Sequence, residues 1–134
     1  MQTLLATQSV KSNTSERQTM NIFQRIIAKE IPADIVFEDD DIIAIKDVNP
    51  QARIHILLIP KEHISSLAAA LPDQTNMLGG LLLAAAKVAN KVGIDTTGYR
   101  VIVNVGDDAG LTVNQLHLHL IGGEPLGPLN ALEN

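Results

Sequence analysis

The sequence has no cysteine and no tryptophan. The missing cysteine excludes a disulfide scaffold, a thiolate-bound zinc or iron–sulfur centre and a thiol nucleophile. It also points to a reducing, cytoplasmic setting. Aromatics make up 2% of the chain, Phe23, Phe37 and Tyr99, so any core must be built from Ile, Leu, Val and Ala. Long apolar runs are absent too. The longest candidate, Met77 to Ala89, contains Lys87 and falls short of the roughly 18 apolar residues that span a bilayer. The N-terminus lacks a basic start followed by an apolar stretch, so no secretory signal is expected. Positive charge is in short supply: ten Lys and Arg against fifteen Asp and Glu give −5. Lys11, Arg17 and Glu16 leave the first 20 residues at +1, so the rest carries −6. Such a domain gains no electrostatic help in binding a nucleic acid polymer. A small phosphate ester is compatible with it.

What is present fits one domain: 134 residues, 46% of them hydrophobic, suffice for one modest core. Residues 1–20 are rich in Ser, Thr and Gln without apolar periodicity and read as a disordered tail before a domain at 21–134. Met20 offers an alternative start. Asn21 can cap a short helix, Ile22 to Lys29, whose Ile22, Phe23, Ile26 and Ile27 form one apolar face. Strands are expected at Ile35–Glu38, Asp41–Lys46 and Ile54–Ile59, with Asp39-Asp40 as an acidic turn and Pro60 closing the third. Pro72-Asp73 opens a long helix to about Val92, with Gly93 as its stop. Gly79-Gly80 inside it costs roughly 1 kcal/mol each against Ala, which close packing against the sheet or a partner chain would explain. Strands at Tyr99–Asn104 and Gln115–Ile121 flank a Gly-rich loop. Helices set apart from hairpin-compatible strands argue for α+β with a mainly antiparallel sheet.

Chemistry concentrates in Gln115-Leu116-His117-Leu118-His119-Leu120-Ile121. Strand alternation puts His117, His119 and Gln115 on one face and the three leucines on the other. A half-exposed strand with a polar wet face is the bland alternative. A metal site is another: His-x-His with His55 as a third ligand survives on spacing, though no carboxylate sits at an obvious supporting position. The loop Asn104 to Val113 carries Gly106, Gly110 and Thr112, and its backbone amides can converge on an anion. Asp107 and Asp108 would oppose a phosphate unless they point away. Asp47 reads either as a ribose-binding acid or as an ordinary turn residue before Val-Asn-Pro. His63 reads as a local cap or packing residue.

Gln115 to Gly123 resembles the signature of the histidine triad (HIT) superfamily, His-φ-His-φ-His-φ-φ with φ apolar. The likeness extends through Asn21-Ile-Phe to Ile26, Lys29 to Pro32, Phe37 to Asp40, Asp47 to Gln51, His55 with Leu58 to Lys61, His63-Ile64, and Gly98 to Arg100 with Asn104. It is strongest to the HINT branch, the histidine triad nucleotide-binding proteins. It covers about residues 21–123, in order.

The resemblance implies an α+β, HIT-like homodimer that binds purine nucleotides such as AMP or GMP. It implies hydrolysis of nucleoside phosphoramidates through a nucleotidyl-histidine, with no cofactor and no metal. By position, His117 matches the nucleophile, His119 a phosphate contact and His55 an accessory histidine. Asn104, Gly110, Leu111, Thr112 and Val113 match the phosphate loop and Asp47 the ribose acid. Ile22, Phe23, Ile26, Ile45 and Val48 match the base pocket.

Several positions depart from the family pattern. Gln115 stands where the first triad histidine is usual. Gln donates and accepts but carries no proton at neutral pH, and one lost orienting hydrogen bond costs ~1 kcal/mol, roughly five-fold in rate. Leu111 replaces a usual Gln and Ile45 an aromatic. The segment Pro125 to Pro128 lacks the Trp common in the branch. Gln115 and the altered C-terminus keep open a weakly active or inactive nucleotide-binding scaffold. A dinucleotide polyphosphate hydrolase of the Fhit-like branch is the other alternative, and the HINT-like N-terminal match and the Gly-Gly ending disfavour it.

Overall fold

The computed structural model describes residues 20–130; the N-terminal tail expected at residues 1–20 lies outside these, apart from Met20. Asn21 caps α1 (Ile22–Ile27) through a reciprocal pair: its Oδ1 accepts from the Gln24 amide at 2.8 Å, and Gln24 Oε1 accepts from the Asn21 amide at 3.0 Å. The helix ends two residues earlier than expected. Ala28 caps it, and Lys29 takes φ +64°, a left-handed conformation that a helix cannot continue. Only Phe23 and Ile26 of its predicted apolar face are buried.

Strand β1 (Ile35–Glu38) and β2 (Ile42–Lys46) form a hairpin. Asp39 shapes its turn, because its Oδ1 accepts from the amides of Asp41 and Ile42, both at 2.8 Å. Strand β3 (Ile54–Pro60) follows, then a single turn of 3₁₀ helix at Pro72–Gln74 that feeds α2 (Thr75–Lys91). The proline thus starts a 3₁₀ turn rather than the α-helix itself. Gly93, at φ +82°, stops α2 as its composition predicts. Strand β4 (Tyr99–Ile102) ends two residues short of the expected Asn104, and β5 (Leu118–Gly122) completes a five-stranded sheet. Its order is β1-β2-β3-β5-β4 and every pairing is antiparallel.

Strand alternation sorts the side chains between two faces. Ile42, Ala44, Ile56, Leu58, Leu118 and Leu120 join Leu81, Ala85 and Val88 of α2 in the main core. On the opposite face Ile43, Ile45, Leu57 and Ile59 pack with Phe23 and Ile26 of α1. The buried members of both clusters are aliphatic apart from α1's phenylalanine, with Phe37 packed at the margin of the main core, as the scarcity of aromatics requires. Gly79 and Gly80 do not pack against the sheet: a Cβ at either would meet nothing within 4 Å. Instead Gly79 begins an exposed stripe, Gly79, Leu82, Leu83 and Ala86, along the outer side of α2.

Candidate active site

The site lies on the α1 side of the sheet, where β3 and β5 are neighbours. Register pairs Leu57 with His119 and His55 with Ile121, so His55 and His119 emerge diagonally on one face. Their rings come within 2.9 Å, His55 Nε2 to His119 Nδ1. His55 is 5% exposed. The His117 and His119 ring centroids are 5.1 Å apart.

Strand β5 begins at Leu118, so Gln115 and His117 precede it, contrary to the expected strand from Gln115. The reason lies in the backbone: the Gln115 amide donates to Val113 O at 2.8 Å and the Leu116 amide to Ile64 O at 2.6 Å. The first closes a tight turn and the second ties Leu116 to the segment after β3, so neither belongs to the β3–β5 ladder. Gln115 is fully buried rather than on a wet face. Its Nε2 donates to Pro60 O at 3.2 Å, and its buried Oε1 has no hydrogen-bond partner among the described residues. The residue's main service to the site is its main chain. Gln115 O lies 2.7 Å from His117 Nδ1, so that ring nitrogen must carry the hydrogen and donate. The neutral imidazole then has its lone pair on Nε2. The Phe23 ring meets the His117 ring at 69° and 5.0 Å between centroids, buttressing its other side.

The second imidazole is held in the opposite sense. The Gln51 amide donates to His55 Nδ1 at 3.0 Å. Neutral His55 therefore bears its hydrogen on Nε2, which faces both His119 Nδ1 at 2.9 Å and Asp47 Oδ2 at 3.3 Å. Burial, with His117 and His55 nearby, pushes His119 down from its ordinary 6.5 to about 4, the Asp47 charge opposing. Burial also lowers His55, against the pull of Asp47. Both rings are neutral at physiological pH.

Asp47 is a turn residue with one carboxylate oxygen left for the site. Its Oδ1 accepts from the Asn49 amide at 2.8 Å, an ordinary turn contact, while Oδ2 faces His55. A carboxylate thus does stand beside the histidines, which local spacing along the chain failed to reveal. Asp47, His55 and His119 offer ligand atoms within 4.8 Å of one another and could hold a cation. A tetrahedral zinc would set two imidazole nitrogens roughly 3.3 Å apart; the 2.9 Å observed between His55 and His119 suits a shared hydrogen better.

Of the other expected contacts, Phe23, Ile26 and Ile45 are buried beside the site, Ile22 is half-exposed and Val48 is 92% exposed. Val48 lines a site only if a ligand covers it. In the loop, Gly106 and Gly110 take φ of +81° and +80° around a 3₁₀ turn at Asp107–Ala109. Asn104 is half-buried, while Thr112, Asp107 and Asp108 are exposed. Ile22, Thr112 and Val113 share one open cleft with Gln24 and His63. His63 is no local cap: its Nε2 lies 3.1 Å from Asn114 O and ties the loop to the end of β3. Gln51 is the participant that sequence reasoning missed, since a backbone amide carries no residue-type signal. Its trace in the sequence is the family likeness over Asp47 to Gln51, which says nothing of the amide.

The sequence matches the HIT domain over residues 28–126. The chain belongs to the HIT family. A HIT-like protein of Synechocystis is 52% identical over 104 residues, covering 78% of this chain and 90% of that protein. The purine nucleoside phosphoramidase of Escherichia coli K12 is 44% identical over 110 residues, covering 82% and 92%. A HIT family hydrolase from Clostridium thermocellum superposes with a TM-score of 0.77 at 47% identity, covering 80% of this chain and 93% of that one. A histidine triad protein from Clostridium difficile gives 0.78 at 38% identity, covering 81% and 95%. The five-stranded antiparallel sheet with one long and one short helix is thus the HIT fold. Among the described residues, no helix is long and apolar enough to cross a membrane.

Proposed function

We propose that this HIT protein is a hydrolase that cleaves purine nucleoside phosphoramidates, releasing the nucleoside monophosphate and an amine. The observation that carries this reading is the pair of opposed imidazoles. His117 has Nδ1–H engaged by Gln115 O at 2.7 Å and so a lone pair on Nε2. His119, its Nδ1 occupied by His55 at 2.9 Å, has a hydrogen on Nε2. One ring is a nucleophile and its neighbour a donor. The 44% identity to the E. coli phosphoramidase supports the substrate class.

In this mechanism His117 Nε2 attacks the α-phosphorus opposite the P–N bond. A new N–P bond forms, the old one breaks, and the ring becomes a cationic nucleotidyl-imidazole. Its Nδ1–H stays on Gln115 O, which stabilises the positive ring. His119 Nε2–H, the Asn104 amide, the Thr112 hydroxyl and loop amides from Gly110 to Val113 hold the developing charge on the phosphate oxygens. Neither imidazole has a proton to spare for the amine: the one on His117 is held, and His119 is neutral down to about pH 4. The amine therefore takes its proton from a water, leaving hydroxide. A second water attacks the phosphorus from the face the amine left; its proton neutralises that hydroxide, the N–P bond breaks, and His117 is freed as a neutral ring with its lone pair back on Nε2. Asp47 accepts from the ribose hydroxyls, and Ile22, Phe23, Ile26, Ile45 and Val48 cover the base.

The test is steady-state hydrolysis of a fluorogenic adenosine phosphoramidate, without added metal, by the wild type and His117→Ala. Turnover should fall by roughly several hundred-fold in the variant. AMP binding by calorimetry with no turnover above the variant's background would replace hydrolysis with nucleotide binding alone.

The protein is further proposed to work as a homodimer. Strand β4 is a sheet edge, with Tyr99 and Val101 partly exposed, and the outer stripe of α2 leaves Leu83 74% exposed. Light scattering should give twice the chain mass for the wild type and the single mass for Leu83→Asp; a monomeric wild type would end this reading.

A further inference from the structure

Three groups compete around one hydrogen in this site. His55 Nδ1 is occupied by the Gln51 amide at 3.0 Å, so the ring has a single hydrogen to give, on Nε2. Two acceptors face it: His119 Nδ1 at 2.9 Å and Asp47 Oδ2 at 3.3 Å. A His119 ring with its hydrogen on Nδ1 would meet His55 Nε2–H head on, two donors at 2.9 Å. Its hydrogen must therefore sit on Nε2. The pull of Asp47 weakens the bond that enforces this.

We infer that His55 is a positioning residue, set by the Gln51 amide, which holds His119 in its Nε2–H tautomer, and that a vicinal diol engaging Asp47 strengthens that hold. The coupling follows from hydrogen-bond polarisation. Hydroxyls donating to Asp47 Oδ2 satisfy the carboxylate, so His55 Nε2–H turns wholly to His119 Nδ1. Accepting a stronger bond at Nδ1 draws density from the ring and makes Nε2–H a better donor. Recognition of the sugar thereby tunes the donor aimed at the phosphate, and a ribonucleotide differs from its dideoxy analogue in kcat as well as in KM. The diol arm rests on Asp47 being the ribose acid of the proposed function; the tautomer arm stands on geometry alone.

The experiment is a long-range ¹H–¹⁵N correlation spectrum of histidine-labelled protein near pH 7. The chain has four histidines, and single variants assign them. In the free wild type His119 should show protonated Nε2 and bare Nδ1, and His117 the reverse. His55→Ala should leave His119 a mixture of tautomers. His55→Gln, which can still donate from its amide, should restore the single form and guards against misfolding of the alanine variant. In turnover, His55→Ala should lose roughly ten-fold in kcat with KM little changed, and His55→Gln should recover most of it. Adding AMP should shift the His55 Nε2–H and His119 Nδ1 signals further than 2′,3′-dideoxy-AMP does at saturation, since both place a phosphate at His119 but only AMP offers Asp47 a diol. A His119 Nδ1–H form in the wild type, or a pure Nε2–H form in His55→Ala, would overturn the inference. So would equal shifts with the two nucleotides. Failure of AMP to bind would instead sink the proposed function, with the free-protein spectra still deciding the tautomer.

Discussion

On one face of the sheet, Ile56, Leu58, Leu118 and Leu120 meet α2 and are buried to 5% exposure or less. On the other, His55 and Leu57 are buried and His119 is half-buried, with α1 covering only part of the face. The strands are the same; the helices above them differ. Helix α2 has 17 residues and seals its face, whereas α1 has six and covers only one end of its own. The uncovered remainder is where imidazoles stand beside a hydrophobic floor. A short helix that stops at a left-handed Lys29 is therefore part of how the site stays open.

The comparison breaks most sharply with a pair of substitutions. His117→Ala should cut turnover by roughly several hundred-fold yet change unfolding free energy by less than about 1 kcal/mol, because the ring is only partly buried. Leu58→Ala, at a fully buried position, should cost about 3 kcal/mol in urea unfolding with kcat largely kept in the folded fraction. A Leu58→Ala enzyme of normal stability would mean that the α2 face is not the structural one.

Acid provides a smaller and more selective test. His119 is lowered to about 4 from its ordinary 6.5, so the unfolded chain binds more protons between those values. Stability from this source is complete above about pH 6.5, falls as the pH drops, and is exhausted near pH 4. Glu38 adds a separate loss below its ordinary 4.5, since Lys29 and Lys61 hold its carboxylate ionised. Melting temperatures should decline from pH 6.5 to 4 in the wild type and less steeply in His119→Gln. Parallel curves would show that His119 carries no such linkage.

How much of this was legible beforehand follows the same division. The α2 face could be read from alternation alone, since every Leu and Ile in β3 and β5 falls where period two sends it. The His face could be read only in part. Alternation puts His119 on the face where it stands, and the nearness of His55 to it comes from the β3–β5 register. Alternation also puts Gln115 on the wet side of a strand that begins three residues later. Backbone bonds to Val113 and Ile64 override the alternation there. Asp47 was singled out, yet its approach to His55 depends on a chain reversal that brings residues 47 and 55 together, with the Asp47 amide donating to His55 O at 3.0 Å. The Gln51 amide had no side-chain signature at all. Pattern reports what side chains prefer, and this site is assembled substantially from main-chain groups.

The smallest effect separates the two sides of α2 itself. Its inner side is closed by Leu81, Ala85 and Val88, while Gly80 lines an open groove beside the acidic β1–β2 turn and has no neighbour within 4 Å of an added Cβ. Sheet packing therefore does not explain this glycine, and its helical conformation suits alanine. Gly80→Ala should stabilise the chain by about 1 kcal/mol through helix propensity alone. That gain should be independent of protein concentration, because Gly80 is not part of the exposed stripe of Gly79, Leu82, Leu83 and Ala86, which shares only Leu83 with the groove. A gain that vanished, or turned to a loss as the concentration rose, would mean that a second chain closes over Gly80 as well. The docking surface would then extend from the stripe into the acidic groove.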